Sequence, residues 1–203
     1  PTTQVWSNNI GFSWQGKDPN SLPLFGTVGV TLDYGKTIGW KIIEGRDFSR
    51  SFPGDSSGMI LNESAVKLTG LKNIVGKIIK WDTTPHTVVG VVQDMVMESP
   101  YEPVKPTIFV MNPGWASVIT VRIKPSVPIH AALGKIETIF KRYNPGAPFE
   151  YKFTDEEYAR KFEDEKRIGN LSTFFAILAV FISCLGLFGL ASFVAEQRTK
   201  EIE

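Results

Sequence analysis

One long apolar run near the C-terminal end constrains this chain more than any other feature. No charged side chain occurs between residues 168 and 195, and residues 171–195 are almost all apolar. About 20 helical residues, rising ~1.5 Å each, cross the ~30 Å hydrocarbon layer of a bilayer. A buried core helix would keep a polar stripe, and a cleaved signal peptide would lie at the other end of a chain. The sequence therefore predicts a transmembrane helix over residues 171–195.

The charges beside this helix do not decide its orientation. Lys166 and Arg167 precede it, whereas Arg198 and Lys200 follow it. The positive-inside rule compares the numbers of Lys and Arg at the two ends, and here these numbers are nearly equal. The rest of the chain, roughly 165 residues, is enough for one domain or two small subdomains.

Composition and motifs argue against several classes of function. The 203 residues carry 22 basic and 21 acidic side chains, a net charge of +1, which gives no electrostatic basis for binding nucleic acid. The only cysteine, Cys184, lies in the apolar run, and the two histidines, His86 and His130, are far apart in sequence. No phosphate loop or nucleophile elbow occurs. The sequence therefore predicts no catalytic residue, no metal ligand and no cofactor, and a chain that is not an enzyme.

The polar part of the chain alternates between strand and helix patterns, which is typical of an α+β domain. Helices are predicted from Asp33 to about residue 38, from the N-cap Asn62 to about residue 68, and from Pro128 to about residue 143. A turn is predicted at residues 7–9 between the first two strands. The predicted strands are residues 4–6, 10–14, 27–32, 59–61, 76–81, 86–92, 107–111, 117–123 and 149–153.

The segment Glu-Gly-Arg-Asp-Phe at residues 44–48 has two interpretations. Gly45 can supply a turn, and the Asp47 carboxylate can accept hydrogen bonds from nearby backbone amides. The alternative is a ligand or salt-bridge site at this turn. Turn chemistry alone is the favoured interpretation, because Gly and Asp are common in turns without any further role.

Residues 154–170 are predicted to form a stalk helix that leads into the apolar run. Thr154 and Glu157 match a capping box, in which the Thr side chain caps the third helical amide and the Glu side chain reaches back. Tyr158 and Phe162 follow among charged residues, and no strong terminator occurs before the apolar run. The stalk is therefore expected to enter the membrane continuously or with one bend.

Small residues recur at spacings of 4, 3, 4 and 3 within the apolar run, which places them on one helix face. Small residues let the backbones of neighbouring membrane helices approach closely. The alternative is a lone helix in which these positions have no role. We favour the first interpretation, which predicts a transmembrane packing face made of Ser172, Ala176, Ala179, Ser183 and Gly186.

Four stretches, taken in their order and spacing, resemble one family of bacterial membrane proteins. Residues 33–48, with Asp-Tyr, Gly-Trp and Glu-Gly-Arg-Asp-Phe, resemble the beginning of the MacB-like periplasmic core domain. Residues 60–77, with Ile-Leu-Asn-Glu-Ser-Ala and Val-Gly-Lys, and residues 88–94, with Val-Val-Gly-Val-Val-Gln-Asp, resemble its next signatures. Residues 174–202, which end in Arg-Thr-Lys-Glu-Ile, are similar to the first helix of the FtsX-like permease domain in its Bacteroidetes variant.

Two positions depart from this pattern, and neither concerns a catalytic role. Ile74 stands where the resemblance predicts Pro before the Val-Gly-Lys turn, and Met95 stands where Phe is common after the Asp. The resemblance covers nearly the whole chain, and we expect the chain to be a fragment of a larger membrane protein.

The resemblance implies a fold and a division of the chain. The expected fold is α+β, with a porter-like α/β part and an inserted β-rich part. The extracytoplasmic core domain would occupy residues 1–153, the stalk residues 154–170, the membrane helix residues 171–195 and the start of a cytoplasmic segment residues 196–203. Residues 1–170 would lie on the periplasmic side of the bacterial inner membrane.

The resemblance also implies a function and partners. Such permeases couple ATP hydrolysis in the cytoplasm to conformational change in the periplasm, which drives export of a drug, peptide or lipoprotein or activates a cell-wall hydrolase. The implied partners are a cytoplasmic ABC ATPase, a second permease copy in a homo- or heterodimer and, in some members, a periplasmic adaptor. The alternative from the residues alone is the ligand-sensing ectodomain of a membrane receptor or sensor kinase.

Overall fold

The computed structural model describes residues 7–98, 101–115 and 117–202, except for the side chains of residues 161–165 and 195–202. The chain divides into two compact units, Pro1–Glu157 and Tyr158–Glu203. The helices are α1 (Tyr34–Ile38), α2 (Glu63–Thr69), α3 (Ile129–Tyr143) and α4 (Thr154–Ile202). The strands are β1 (Ser7–Asn9), β2 (Phe12–Ser13), β3 (Phe25–Val30), β4 (Ile42–Gly45), β5 (Gly58–Asn62), β6 (Ile78–Trp81), β7 (Thr84–Val92) and β8 (Thr107–Met111).

The first unit is built on one mixed eight-stranded sheet. Its order is β1-β3-β8-β5-β7-β6-β2, and β4 pairs with β7 beside this path. Two pairs are parallel, β3 with β8 and β5 with β7, and the other pairs are antiparallel. The parallel neighbours, β3 with β8 and β5 with β7, are separated by other elements in the sequence, whereas the antiparallel neighbours β6 and β7 follow each other directly as a hairpin. The predicted α+β class is confirmed.

The two ends of this sheet belong to one short segment of chain. β1 pairs with β3, β2 pairs with β6, and only Ile10 and Gly11 separate β1 from β2. Gly11 has φ +90, and its carbonyl accepts a hydrogen bond of 3.0 Å from the Asp82 amide. The ring of Phe12 on β2 lies 5.1 Å from that of Phe25 on β3. The sheet therefore bends round until its first and last strands meet in residues 7–13.

Alternating side chains from the sheet form two hydrophobic clusters, one on each face. On β5, Met59 and Leu61 enter one cluster, whereas Ile60 enters the other. On β8, Ile108 and Phe109 divide between the clusters in the same way. This period of two is the geometry of a β-strand, whose successive side chains point to opposite faces. Burial on both faces also explains why these two strands are continuously apolar.

The helix boundaries confirm several local predictions. The Asn62 side chain accepts a 2.9 Å hydrogen bond from the Ala65 amide at the beginning of α2, so Asn62 is the predicted N-cap. Gly70 follows α2 with φ +67, the left-handed conformation that favours glycine. Helix α3 begins directly after Pro128, as predicted.

One predicted turn and two predicted strands are wrong. Residues 7–9, predicted as a turn from Ser-Asn-Asn, form β1, because pairing with β3 overrides the local turn preference. Residues 117–123 and 149–153, predicted as strands from their alternation, have no strand assignment and no ladder partner within the described residues. Alternation of apolar and polar residues indicates the period of a strand, but it does not show that another strand lies beside the segment to pair with it. Phe149 instead packs its ring 5.6 Å from that of Phe140 on α3.

Helix α4 carries both the predicted stalk and the predicted span. Its apolar window, Lys166–Val194, is the one candidate membrane span within the described residues. The predicted capping box is wrong, because the Glu157 amide donates to the Phe153 carbonyl at 3.1 Å and Thr154 already lies inside the helix. The Glu157 carboxylate lies 3.7 Å from the Lys152 ammonium group. The domain boundaries at residues 153, 170 and 195 stay predictions.

Candidate functional site

One charged pair in the first unit, Arg46 with Asp55, includes a residue of the motif at 44–48. The Arg46 guanidinium forms two parallel hydrogen bonds of 2.7 Å with the Asp55 carboxylate, and the Ser49 amide donates to Asp55 Oδ2 at 2.8 Å. The side chain of Asp55 is only 4% exposed, whereas that of Arg46 is 36% exposed. Bidentate pairing of this kind is among the strongest hydrogen bonding that side chains make. The pair fixes the loop that connects β4 to β5.

The charge state of this pair follows from its hydrogen bonds. The hydrogen bonds from Arg46 lower the pKa of Asp55, and this effect outweighs burial, which acts in the opposite direction. The Asp55 hydrogen bonds raise the pKa of Arg46. Arg46 also lies above the Phe52 ring, with 3.7 Å between Cζ and the ring centroid. Both groups are therefore charged at neutral pH.

Asp47 organises the turn beside the pair. Its Oδ1 accepts a 2.7 Å hydrogen bond from the Phe48 amide, and its Oδ2 accepts one of 3.0 Å from Trp40 Nε1. The Trp40 ring in turn packs edge-on against Phe109 in the core, with 5.1 Å between centroids. A Cβ at Gly35 would overlap both Trp40 and Asp47, so only glycine fits on α1 at this point.

Two glycines face each other where β4 meets β7. Gly45 pairs with Gly90 in the antiparallel register, and Gly45 has φ +73. A Cβ at Gly90 would overlap the Arg46 carbonyl oxygen, and a Cβ at Gly45 would overlap the Val89 carbonyl oxygen. The two strands therefore approach as closely as backbone allows, and this approach places Arg46 next to Asp55.

A second polar cluster fixes α2 to the sheet. Asn62 accepts hydrogen bonds from the Ala65 and Thr107 amides and donates from Nδ2 to the Lys105 carbonyl at 2.9 Å. The Asp94 carboxylate accepts 3.0 Å and 2.6 Å hydrogen bonds from the amide and hydroxyl of Ser64. These residues belong to the motifs at 60–65 and 88–94, so those motifs join α2 to the ends of β5, β7 and β8.

The hydrogen bonds of both clusters hold parts of the fold together. All four carboxylate oxygens of Asp47 and Asp55 accept hydrogen bonds from the protein itself. In the part of the chain that the structure describes, no group of three or more His, Cys, Asp or Glu side chains could hold a metal ion. The motif at 44–48 has the predicted turn chemistry at Asp47. Its Arg46 also forms a salt bridge with Asp55, which the favoured interpretation, turn chemistry alone, did not include.

The predicted membrane packing face lies along α4. Ser172, Ala176, Ala179, Ser183 and Gly186 are all exposed there. The Ser183 hydroxyl donates to the Ala179 carbonyl at 2.9 Å, so its polar atom already has a partner within the helix. A Cβ at Gly186 would meet no atom within 4 Å. This arrangement leaves room for another helix, and the packing face stays a prediction.

The predicted stalk residues lie near the beginning of α4. Thr154, Glu157 and Tyr158 occupy its first turns. The side chain of Phe162 lies outside the described residues.

Sequence reasoning missed two residues that the clusters depend on. Asp55 lay in a stretch, residues 51–58, that was predicted only as a polar loop, and Gly90 lay inside a predicted strand. No spacing rule connects Arg46 with a carboxylate nine positions away in a loop. Gly90 did carry a signal, because glycine inside a strand pattern often marks a close approach of another backbone.

Comparison with known proteins places this geometry in a family. The chain matches the periplasmic region of MacB from Actinobacillus actinomycetemcomitans with a TM-score of 0.55 and 18% identity, over 77% of this chain and 73% of that chain. It also matches a domain of a protein assigned as a permease from Porphyromonas gingivalis, with a TM-score of 0.47 and 15% identity, over 66% and 67%. The extracellular domain of the transporter YknZ from Gram-positive bacteria matches with a TM-score of 0.36 and 18% identity, over 53% and 55%.

The first of these structures shows that the two chains share a fold. A search of curated proteins found no match to this chain. The family model of the MacB-like periplasmic core domain matches residues 3–139, which is about two thirds of the chain. This chain therefore belongs to the MacB-like periplasmic core domain family, the periplasmic domains of ABC transporter permeases.

Proposed function

We propose that this chain transmits movement between the membrane and the periplasm as part of an ABC transporter permease. The observation that carries this proposal is α4, a single helix over Thr154–Ile202 that includes both the predicted stalk and the candidate span Lys166–Val194. A continuous helix resists bending, so a displacement at one end is passed along it rather than absorbed by a loop. The chain itself is non-catalytic, and ATP hydrolysis belongs to another chain or domain.

The proposed orientation places residues 1–170 in the periplasm and the residues after the span in the cytoplasm. Family membership supports this orientation, since the matched domain is a periplasmic one. Arg198 and Lys200 then lie on the cytoplasmic side of the inner membrane, where the positive-inside rule favours Lys and Arg. The proposed partners are a cytoplasmic ABC ATPase, a second permease copy and a periplasmic adaptor, and the proposed cargo is a drug, peptide or lipoprotein.

The experiment that tests this function uses the full-length parent protein extracted from membranes in mild detergent. We expect an ATPase with Walker motifs to copurify and to hydrolyse ATP. A parent chain that purifies without an ATPase and phosphorylates itself would overturn the proposal and would identify a sensor ectodomain instead.

Interrupting α4 tests whether the helix transmits movement. Gly169→Pro with Asn170→Pro removes two amides from the ladder just before the apolar run, and each Pro costs about 3 kcal/mol in a helix interior. We expect the complex to keep its ATPase activity, whereas ATP no longer changes the distance between spin labels in the two periplasmic domains. Gly169→Ala with Asn170→Ala is the matched control, because alanine favours the helix. An unchanged response in the Pro variant would contradict transmission through α4.

The small-residue face predicts the effect of one substitution in the membrane. Gly186→Leu fills the open face of α4 and separates it from a neighbouring helix. Extra bulk forced into a packed interface costs about 1–3 kcal/mol. We expect a roughly tenfold lower association constant when assembly is measured by energy transfer between labelled copies over a range of protein-to-lipid ratios in bilayers.

The control for this substitution is Ser192→Leu. At about 100° per residue, Ser192 lies roughly 160° round the helix from the centre of the predicted packing face and roughly 120° from Gly186. The control introduces the same bulk and apolar surface and should leave assembly unchanged. Equal effects of the two variants would show that added volume, and not the proposed face, determines association.

A further inference from the structure

An open groove lies at the edge of the sheet where β2 ends. It has a volume of about 560 Å³ and lies between the segment after β2 and the outer edge of β6. Trp14 and Leu71 contribute apolar surface to it, and both also pack against the hydrophobic core. Trp14 is held in place by a 3.1 Å hydrogen bond from its Nε1 to the Thr69 carbonyl. The apolar wall of the groove is therefore built and fixed by the fold.

The edge of β6 offers unpaired backbone groups to this groove. The Val88 amide donates to the Lys77 carbonyl at 2.9 Å and the Val88 carbonyl accepts from the Gly76 amide at 2.8 Å, so Val88 forms a hydrogen-bonded pair with a bulge of two residues, Gly76 and Lys77. In an antiparallel ladder such pairs alternate, which turns the backbone groups of Ile78 and Lys80 away from β7. Pro85, which has no amide hydrogen, lies opposite Lys80 and agrees with this alternation.

Among the residues that the structure describes, only one of these two has a strand partner on the outer side. Lys80 pairs with Ser13, the last residue of β2. The chain then turns away, with a hydrogen bond of 3.2 Å from the Lys17 amide to the Trp14 carbonyl. Ile78 therefore keeps its backbone N–H and C=O directed outward at the sheet edge, and its side chain is 57% exposed.

The groove is basic. Lys77 and Lys80 line it, and the Lys17 ammonium group lies 5.7 Å from the Trp14 ring centroid. In the described part of the chain, no acidic side chain lines the groove and none of these three lysines forms an ion pair. With a net charge of only +1 over the whole chain, this is a local concentration of unneutralised positive charge.

We infer that this groove binds an extended acidic segment of a partner protein, which pairs with Ile78 as an added strand. Backbone pairing with Ile78 supplies affinity, the Trp14 and Leu71 wall takes an apolar side chain, and Lys77 and Lys80 select for carboxylates. A lipid surface would use the lysines but has no backbone donor and acceptor at strand spacing. The combination of a free strand edge with positive charge therefore favours a peptide.

The binding experiment uses the full chain in nanodiscs of zwitterionic lipid and a fluorescent eight-residue peptide that alternates Glu with Ile. We expect saturable binding by fluorescence anisotropy that weakens at high salt, since the charged groups are exposed. Lys77→Glu with Lys80→Glu should weaken binding of this peptide by roughly tenfold or more and should allow binding of the matching peptide that alternates Lys with Ile. Lys36→Glu with Lys41→Glu, which changes the net charge equally at exposed positions on and after α1, should bind as the parent does.

A second pair of variants tests strand pairing separately from charge. Ile78→Pro removes the outward amide hydrogen without removing a hydrogen bond to β7, and we expect it to weaken binding severalfold, whereas Ile78→Val should not. Peptide binding that is unchanged by the substitutions at Lys77, Lys80 and Ile78 would overturn the inference, and so would the absence of any peptide binding. Lysine-dependent binding of phosphatidylglycerol vesicles without peptide binding would overturn it in favour of a lipid surface. None of these measurements involves the ATPase, so this inference and the proposed function can fail independently.

Discussion

Replacing Gly90 by alanine is expected to destabilise the periplasmic domain by about 3 kcal/mol. The new Cβ would overlap the Arg46 carbonyl oxygen, which belongs to the backbone and cannot move aside as a flexible side chain can. Relief requires β4 and β7 to separate, and this separation would also disturb the position of Arg46 beside Asp55. For a domain of this size the midpoint of thermal unfolding should fall by roughly 6–12 °C.

The measurement is thermal unfolding of the full chain in detergent, followed by near-ultraviolet circular dichroism. Gly134→Ala is the matched control, because a Cβ at this position on α3 meets no atom within 4 Å. In a helix interior that substitution should be neutral or stabilising by up to about 1 kcal/mol. If Gly90→Ala unfolded at the same temperature as the parent, this result would contradict the close approach of the β4 and β7 backbones at Gly90.

Replacing Asp55 by alanine is expected to have a comparable effect, a loss of about 3 kcal/mol. The substitution removes three hydrogen bonds and leaves the Arg46 guanidinium without its carboxylate. Breaking a buried ion pair costs roughly 3–5 kcal/mol, and the lower end applies here because Arg46 is partly exposed and water can replace some of the loss. Asp33→Ala is the control, since Asp33 lies 3.8 Å from Arg50 in a pair exposed by more than 75% on both sides. Exposed pairs of this kind contribute about 0–1 kcal/mol.

The effect of Asp55→Ala should depend on pH with a defined sign. The pKa of Asp55 is lowered in the folded state, so below its unfolded value of about 3.9 the unfolded chain binds more protons than the folded chain. The contribution of the pair is therefore complete above about pH 4 and is lost as the pH falls through the lower folded value. The difference in stability between the parent and Asp55→Ala should be constant from pH 5 to 8 and should narrow in stronger acid. A difference that grew on acidification would contradict the assigned charge state.

The local parts of this fold could be predicted because their signals are local. Asn62 followed by an amphipathic run predicts a capped helix, and Gly70 ends it, since both residues act on their own backbone. The strand at 107–111 was predicted with its observed bounds, because four consecutive apolar residues after Thr107 fit a strand buried on both faces.

The non-local parts could not be predicted, for a physical reason. Residues 7–9 have a turn composition and become a strand only because Phe25–Val30 lies beside them. Residues 117–123 have a strand composition and gain no ladder within the described residues. A strand is stabilised by pairing with the strand beside it, and a single sequence does not show which strand that is. The Arg46–Asp55 pair is similar, because the sequence shows the arginine but not which loop brings a carboxylate to it.

The way in which the sheet ends has a consequence for aggregation. An unpaired strand edge is a template for pairing with another molecule, and proteins usually protect each of their two edges by a separate device. Here β1 covers the edge of β3 and β2 covers the second half of the edge of β6, and both belong to the seven residues from Ser7 to Ser13. Detachment of this one segment would leave two strand edges unpaired at the same time, and both could then pair with other molecules. The bend at Gly11 therefore protects the domain from self-association as well as shaping its sheet.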